Sequence, residues 1–174
     1  MKNFKELIPQ VKAFVFDVDG VLSSEVIPLH PTDGPMRTIN IKDGYALQLA
    51  VKKGYPIAII TGGDTESVRR RFERLGIKDV YMKVSEKTQK LEEFMQKYNL
   101  SSHNVLYMGD DIPDFEAMKR VGIPVCPIDA AAEIKALCVY ISHKKGGEGC
   151  AREVLEQVMK AQGNWMSSAE AFGW

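Results

Sequence analysis

The sequence has few of the features that mark secreted, membrane-spanning or nucleic-acid-binding proteins. It contains three cysteines in 174 residues, and this odd count without a secretion signal favours a reduced, cytoplasmic protein over a disulfide framework or a metal clip. No apolar run approaches the roughly 20 residues of a membrane-spanning helix, and the N-terminal segment lacks the apolar core of a signal peptide. Basic and acidic residues number 23 each, so no excess charge points to nucleic acid or an anionic membrane as a partner.

The residues that are present suit one α/β domain spanning 1–174. The chain is 45% hydrophobic, enough for a substantial core, and strand-like segments alternate with helix-like ones, which predicts a doubly wound parallel sheet. After the first strand, segment 22–41 predicts a β-hairpin that projects over the strand ends, and a helix is expected from Asp43 to about Lys53. The sheet is expected to be completed by segments 134–137 and 139–141. A C-terminal tail is expected at 162–174 and carries Trp165 and Trp174.

The most informative stretch runs from Phe14 to Gly20, where an apolar run stops at two aspartates and a glycine. A short run of β-branched and aromatic residues bounded by glycine predicts a buried strand, and parallel α/β sheets bind ligands at the carboxyl ends of their strands. Asp17 and Asp19 lie at such an end, where two carboxylates are costly to bury unless a cation or a reaction requires them. On this segment alone, an acidic turn after a strand remains the alternative.

Further polar groups follow the other predicted strands. The apolar run 55–60 ends in a hydroxyl and flexible backbone, the run 105–108 ends in a second acidic cluster, and a lysine lies between them at a predicted helix start. Taken singly, these features also fit a strand-ending turn, a solvent-facing acid in a first helical turn and an exposed lysine. The residues concerned are Thr61 and Gly62, Lys87, and Asp110, Asp111 and Asp114.

Taken together, these groups predict a magnesium-dependent phosphoryl-transfer site. A carboxylate can act as a covalent nucleophile, and Mg²⁺ prefers one or two carboxylates together with water and substrate phosphate oxygens. A hydroxyl and backbone amides can hold the phosphoryl oxygens, while an ammonium offsets their charge. Catalysis at such a site consists mainly of positioning and electrostatic stabilisation.

In their order along the chain, these four groups of residues resemble the four sequence motifs of the haloacid dehalogenase superfamily of phosphatases. The resemblance runs from about Lys12 to Gly163 and is closest to the capless sugar-acid phosphatases of the 3-deoxy-D-manno-octulosonate 8-phosphate (KDO 8-phosphate) phosphatase type. It implies a Rossmann-like core, phosphomonoester hydrolysis and Mg²⁺ as the cofactor. The segments that carry the narrower similarity are 40–45, 68–71, 75–77, 146–149 and 151–154.

The resemblance also implies roles for the acidic residues. Asp17 would be the nucleophile that forms an aspartyl-phosphate, and Asp19 would act as general acid and then as general base. The Asp17 carboxylate, the Asp19 backbone carbonyl and Asp110 would hold Mg²⁺. Asp111 and Asp114 are expected as additional ligands or as supports behind the ligands.

The remaining motif residues are expected to bind the substrate. Thr61 and the Gly62 amide would hold the phosphoryl oxygens, since glycine lets the backbone approach closely. Gly20 would border the same group, and Lys87 would neutralise the charge of nucleophile and phosphate. The family match favours Arg71 as the ligand of a substrate carboxylate, which arginine can grip with two nitrogens.

The spacing of the motifs leaves no room for a cap domain. Asp17 and Thr61 are 44 positions apart and Thr61 and Lys87 are 26 apart, both too short for a domain of usual size. The resemblance therefore implies a homotetramer in which the hairpin reaches a neighbour's active site. The substrate contacts expected in that arrangement are Asn40, Asp43 and Gly44.

One position departs from the pattern and leaves alternatives open. KDO 8-phosphate phosphatases commonly have arginine directly after the Thr-Gly pair, whereas this chain has Gly63, and the glutamate frequent in relatives that act on nine-carbon keto acids is also absent. Segment 42–45 is closer to the KDO group, so we expect the eight-carbon substrate, with a nine-carbon keto-deoxy or sialic acid 9-phosphate as the alternative. A regulatory module in which Asp17 accepts phosphate without turnover is an alternative of another class, and a phosphomutase is a weaker one.

Overall fold

Six parallel strands form the central sheet of the protein, for which a computed structural model describes residues 3–32 and 34–173. The strands of the sheet are β1 (Ala13–Phe16), β4 (Ile57–Ile60), β5 (Asp79–Tyr81), β6 (Val105–Met108), β7 (Ile123–Cys126) and β8 (Tyr140–Ile141), and a separate pair is formed by β2 (Leu29–His30) and β3 (Gly34–Pro35). In space the order is β5-β4-β1-β6-β7-β8. Strand β1 therefore lies in the centre, between β4 and β6, as the doubly wound prediction requires.

Helices connect successive strands and cover both faces of the sheet. They are α1 (Phe4–Leu7), α2 (Ile41–Lys52), α3 (Glu66–Arg74), α4 (Lys87–Lys97), α5 (Phe115–Met118), α6 (Ala132–Leu137) and α7 (Cys150–Ala161). This architecture confirms the predicted α/β fold class. Among the described residues, none of the helices is both long and apolar enough to cross a bilayer.

The central strands are buried on both faces, which explains their unbroken apolar runs. In β1, Phe14 and Phe16 join one core cluster, together with residues of α2, α3 and α7. Ala13 and Val15 point to the opposite face and join the second cluster, with residues of α4, α5 and α6. Because side chains alternate along a strand, each β1 residue serves one of the two cores. Polar groups can appear only where the strand ends.

The hairpin at 22–41 is smaller than the sequence predicted. Its strands β2 and β3 are two residues long and pair antiparallel, and residue 33 of the turn lies outside the described residues. The β-prone residues before position 41 lead instead into α2, which begins at Ile41 and not at Asp43. The cause is local: the Asn40 side chain accepts hydrogen bonds from Lys42 N (2.9 Å) and Asp43 N (3.4 Å) and so caps the helix earlier.

Two predictions near the C-terminus are also settled by the fold. Residues 134–137 do not belong to the sheet but to α6, because an alanine-rich run with glutamate and leucine is a strong helix former. The predicted tail contains a 3₁₀ turn at Ala169–Phe172, and Trp165 packs edge-on against Tyr45 of α2. Residue 174 of that tail lies outside the described part of the chain.

Candidate active site

Three parallel strands deliver their polar residues to one edge of the sheet. Asp17 directly follows β1, Thr61 follows β4 and Asp110 follows β6 after a single glycine. A cavity of about 700 Å³ lies over this edge, bordered also by the start of α4 and by the hairpin. The strand topology therefore brings together residues from four distant parts of the sequence, as the motifs predicted.

Lys87 joins two carboxylates at the floor of the cavity. As the first residue of α4, it places Nζ 3.0 Å from Asp17 Oδ2 and 2.8 Å from Asp114 Oδ1. Tyr107, inside β6, donates its hydroxyl to the same Asp114 oxygen at 2.7 Å. Lys87 and Asp114 are almost completely buried. Asp114 is thus anchored from two sides and holds Lys87 beside Asp17.

Asp17, Asp110 and Asp114 form an acidic cluster with the geometry of a cation site. One carboxylate oxygen from each lies within 4.8 Å of the others. Each of the three also has a buried oxygen that receives no hydrogen bond: Asp17 Oδ1, Asp110 Oδ1 and Asp114 Oδ2. Buried carboxylate oxygens without partners are costly, and hard oxygen ligands are what Mg²⁺ prefers. The residues present therefore fit a hard divalent cation.

The electrostatics of the cluster support the same interpretation. Burial, reinforced by the charge of Asp114, raises the pKa of Asp17 to about 7, although Lys87 works against this rise. Burial and the neighbouring Asp17 and Asp114 raise the pKa of Asp110 to about 8. Burial disfavours the charged form of Lys87, but Asp17 and Asp114 outweigh it and raise the pKa of its ammonium. Three ionised carboxylates would carry more negative charge than one lysine can balance, so the cluster favours binding a proton or a cation.

Gly20 shapes the loop that carries the first two aspartates. Its φ of +80° is a conformation that residues with a Cβ rarely adopt, and a methyl group there would overlap with Asp110 Oδ2. The loop around Gly146 is packed as tightly, because a side chain at that position would overlap with the Gly20 carbonyl. Close backbone approach therefore brings Asp110 next to the residues that follow β1.

Thr61 and Gly62 border the cavity on the side of β4. Thr61 is almost fully buried, and its hydroxyl accepts a hydrogen bond from Gly63 N at 3.1 Å, which holds the turn after the strand. Gly62 is exposed toward the cavity. Both residues therefore line the cavity, where the sequence places the phosphoryl-binding turn, and their role in binding an anion remains a prediction.

Asp19 and Asp111 are arranged differently from the cluster. Asp19 lines the cavity, but its carboxylate faces Arg37, whose Nε and Nη2 donate to it at 2.6 and 2.8 Å. Asp111 is exposed at the cavity edge and does not take part in the three-carboxylate cluster. Of the two residues predicted as additional ligands or supports, Asp114 is the one that lies in the cluster.

Four of the predicted substrate contacts lie away from this cavity within one protomer. Asn40 caps α2 and donates to the Gly147 carbonyl at 3.2 Å. The Asp43 carboxylate accepts from Arg152 N at 2.6 Å and so caps the start of α7. A Cβ on Gly44 would lie 2.5 Å from Arg71 Nη2, so that guanidinium packs against α2. Their expected role in substrate binding remains a prediction.

Two residues of the site escaped the sequence interpretation. Tyr107 appeared only as part of an apolar strand, because nothing in a buried run marks a hydroxyl that will reach a carboxylate. Arg37 lies in the hairpin, where no periodicity indicates which way a side chain points. Its basic character in a segment next to an acidic motif was the only available signal.

The arrangement brings together the groups that phosphoryl chemistry requires. Asp17 is accessible from the cavity, held by Lys87 and adjacent to oxygens that suit a divalent cation. A carboxylate in this setting can act as a nucleophile toward phosphorus. The ammonium, the glycine-rich turn and the cation site supply the charge that an incoming phosphate requires.

Comparison with known proteins places the chain in a family. The model of the haloacid dehalogenase-like hydrolases matches residues 42–128. The 3-deoxy-D-manno-octulosonate 8-phosphate phosphatase KdsC of Salmonella typhi is 33% identical over 153 residues, which cover 88% of this chain and 81% of that protein.

Solved structures agree with these sequence matches. The KDO 8-phosphate phosphatase of Moraxella catarrhalis, in complex with magnesium, phosphate and KDO, has a TM-score of 0.90 at 30% identity, covering 98% of both chains. The cobalt-bound phosphatase (YrbI) of Haemophilus influenzae has a TM-score of 0.87 at 26% identity, covering 95% of this chain and 98% of that one. The chain therefore belongs to the haloacid dehalogenase-like hydrolases, within the group of the KDO 8-phosphate phosphatases.

Proposed function

We propose that the protein is a Mg²⁺-dependent phosphatase that hydrolyses KDO 8-phosphate to KDO and inorganic phosphate. The observation that carries this proposal is the buried contact of Lys87 with Asp17, next to three carboxylate oxygens without partners. The similarity to KDO 8-phosphate phosphatases over most of the chain supports the substrate.

Asp17 and Asp19 share the covalent chemistry in this proposal. A carboxylate oxygen of Asp17 attacks phosphorus, the bond from phosphorus to the sugar oxygen breaks, and Asp19 gives that oxygen a proton. Water then attacks the aspartyl-phosphate while Asp19 takes its proton, which releases phosphate and restores both carboxyl groups. The position of Asp19 at the cavity edge suits contact with the leaving sugar.

Asp17, Asp110 and Asp114 are the side chains that would hold or support Mg²⁺, with the Asp19 carbonyl and Asp111 as further candidates. Bound there, the cation would supply positive charge to the phosphoryl oxygens. Lys87 keeps the Asp17 carboxylate oriented and offsets its charge. Thr61 fixes the turn whose Gly62 amide would face the phosphoryl group, and Gly20 leaves room for Asp110.

The protein is further proposed to be a homotetramer whose hairpin helps to cover a neighbour's active site. Support comes from large apolar side chains on the segment leading through the hairpin, since exposed apolar clusters mark interaction surfaces. Asn40, Asp43, Gly44 and Arg71 would then contact substrate from or across the interface. A monomer in sedimentation that keeps full activity on dilution would overturn this assembly. The exposed apolar side chains of the hairpin segment that support this assembly are Val26, Leu29, Met36, Ile39 and Ile41.

A cytoplasmic location is the further part of the proposal. All three cysteines are buried and free, which suits a reducing compartment. Localisation of a tagged protein by cell fractionation tests this directly, and recovery from an oxidising compartment would contradict it.

The experiment that tests the function is steady-state phosphate release with Mg²⁺, measured in parallel on KDO 8-phosphate and a nine-carbon keto-deoxy acid 9-phosphate. We expect a kcat/KM at least about tenfold higher for the eight-carbon ester, a difference of about 1.4 kcal/mol. The reverse preference would replace the substrate with the nine-carbon one. A stoichiometric burst of released sugar, with the phosphoryl group retained on the protein and no turnover, would instead favour the regulatory module.

A further inference from the structure

Arg37 is an unexplained charged group in the wall of the active-site cavity. Of the described residues that line this cavity, only Lys87 and Arg37 are basic, against seven acidic ones. Lys87 is committed to the floor, where it contacts Asp17 and Asp114. Arg37 is therefore the cation that remains at the rim, and its side chain is only 8% exposed.

The guanidinium is held by a two-pronged contact to Asp19. Nε and Nη2 donate to the two Asp19 oxygens, and Nη1 donates to the Thr65 hydroxyl. This contact raises the pKa of the already basic Arg37. Two parallel N–H···O bonds are the arrangement in which arginine recognises any carboxylate. Arg37 thus shows in this structure the geometry with which it would bind a carboxylate of a ligand.

The contact between Arg37 and Asp19 needs space that exists because residue 63 is glycine and has no side chain. A Cβ on Gly63 would lie 2.7 Å from Arg37 Nη2 and 3.0 Å from its Cζ. Since real Cβ atoms essentially never approach so closely, any other residue at position 63 would push the guanidinium away. Gly63, in the turn after β4, and Arg37, in the hairpin, therefore fit each other.

The position of Arg37 indicates which part of a substrate it meets. Asp19 must reach the leaving oxygen to protonate it, so its partner Arg37 lies beside the leaving sugar and away from the phosphoryl group. A phosphorylated sugar acid carries a second anion on that sugar, its carboxylate. The acidic walls of the cavity would repel this group unless a cation at the rim received it.

We propose that Arg37 is the specificity-determining residue that binds the carboxylate of the sugar acid, exchanging its Asp19 partner for the substrate. This inference rests on the proposed function and names the residue of this chain that recognises the carboxylate of the substrate. The substrate carboxylate replaces the Asp19 carboxylate on the same two nitrogens of Arg37, so the guanidinium stays paired throughout. The exchange also frees the Asp19 carboxyl to turn toward the leaving oxygen, which couples recognition of the acid to catalysis.

Arg71, which the family resemblance favours as the ligand of the substrate carboxylate, lies outside the active-site cavity. Its guanidinium packs against Gly44 of α2, and it does not border the cavity of its own protomer. A contact to substrate from there requires a neighbouring subunit. Arg37 requires only the chain itself, so the two assignments predict different variants to lose recognition of the acid.

The test pairs a change in the enzyme with a change in the substrate. Initial rates are measured for wild type and Arg37→Ala with KDO 8-phosphate and with its C1 amide, in which the carboxylate is neutral. For the acid, Arg37→Ala should lower kcat/KM by about 100-fold. For the amide, the loss should stay below about threefold. Arg74→Ala, an exposed arginine on α3, is the matched control and should change neither value.

Product inhibition gives a second measurement that a purely structural role would not affect. Arg37→Ala should weaken inhibition by KDO while inhibition by inorganic phosphate stays the same. Arg37→Lys keeps the positive charge but cannot donate two parallel hydrogen bonds to a carboxylate. Its inhibition constant for KDO should therefore lie between those of wild type and Arg37→Ala. If Arg37→Ala fails to fold, Arg37→Lys carries the test: it should lose more on the acid than on the amide, and inhibition by KDO should weaken while inhibition by inorganic phosphate stays the same.

Three outcomes would overturn the inference. Equal losses on the acid and the amide would mean that Arg37 only holds the hairpin or Asp19 in place, and unchanged kinetics on both would mean that it has no role in turnover. Loss of acid recognition in Arg71→Gln with wild-type behaviour of Arg37→Lys would assign the carboxylate to Arg71. A wild-type enzyme that hydrolyses neither compound would refute the proposed function itself, which is a distinct result.

Discussion

Lys87 Nζ lies 3.0 Å from Asp17 Oδ2, although the two residues are 70 positions apart in the chain. Asp17 directly follows the central strand and Lys87 begins α4, so the contact fixes the proposed nucleophile relative to a helix on one face of the sheet. Both side chains are nearly fully buried. Lys87 also contacts the buried Asp114, so loss of the lysine would leave two buried carboxylates without a cation and should affect the fold as well as the site.

Replacing Lys87 with methionine should abolish most activity and destabilise the protein. Asp17 and Asp114 would remain buried without their cation, and breaking such a pair typically costs about 3–5 kcal/mol. Turnover should fall by at least about 10²-fold, as for other lost electrostatic groups. Denaturant unfolding and phosphate release check both effects. Lys90→Met, on the same helix but paired with Glu93 at the surface, is the control and should stay near wild type.

Gly20→Ala should weaken activation by Mg²⁺. The new methyl group would overlap with Asp110 Oδ2 at a φ of +80°, so Asp110 must move away from the cluster. We expect the Mg²⁺ concentration for half-maximal activity to rise by about 10- to 100-fold. Gly54→Ala imposes the same backbone strain at φ +84° with no atom within 4 Å. An equal effect of both variants would show that strain alone is responsible.

The stability of the metal-free protein should fall as the pH rises from 6 to 8. Unfolded, both Asp17 and Asp110 ionise near pH 3.8, whereas in the fold their pKa values are about 7 and 8. Between these limits the folded state binds more protons than the unfolded chain, so the free energy of unfolding decreases with pH. The loss should be about 4 kcal/mol, since each pK unit corresponds to about 1.4 kcal/mol. Thermal unfolding in the presence of a chelator measures it.

Added Mg²⁺ should reverse that trend, because the cation takes the place of the protons. The gain in melting temperature from Mg²⁺ should be larger at pH 8 than at pH 6. In Asp110→Asn the pH dependence of the metal-free protein should be shallower, since one of the two groups is gone. A gain from Mg²⁺ that does not change with pH would contradict this account of the cluster.

Asp43→Ala should destabilise the protein by about 1–2 kcal/mol through loss of a helix cap. Its carboxylate accepts from Arg152 N at 2.6 Å, in place of Gly149, which has no side chain to cap α7. Burial raises the pKa of Asp43 to about 6, as expected for a carboxyl enclosed between two helices. Urea unfolding checks this, with the exposed neighbour Lys42→Ala as control. An unchanged midpoint would leave substrate contact as the only role for Asp43.

The sequence was sufficient for those parts of the site that follow buried strands. Asp17, Thr61 and Asp110 each come directly or almost directly after an apolar run, and parallel strands bring such positions to one edge. Lys87 could be placed because it begins a helix with a clear apolar face. In these cases, local patterns and the rule for parallel sheets determine the position of the side chain.

The contacts that the sequence did not reveal depend on long-range packing. Arg37 reaches Asp19 only because Gly63, 26 positions later, leaves space for its guanidinium. Asp43 caps a helix that begins more than 100 positions further along the chain. The short hairpin carries no periodic pattern, and its path over the sheet is set by these contacts. No local rule could predict them.

Phosphorylation of Asp17 is the step on which the proposed mechanism depends most directly. Enzyme quenched during Mg²⁺-dependent turnover of KDO 8-phosphate and reduced with borohydride should contain homoserine at position 17, identified by mass spectrometry. Asp17→Asn should fold normally, lack the modification and lose about 10⁴-fold or more in turnover. Reduction at another residue, or turnover by Asp17→Asn near the wild-type rate, would contradict the mechanism.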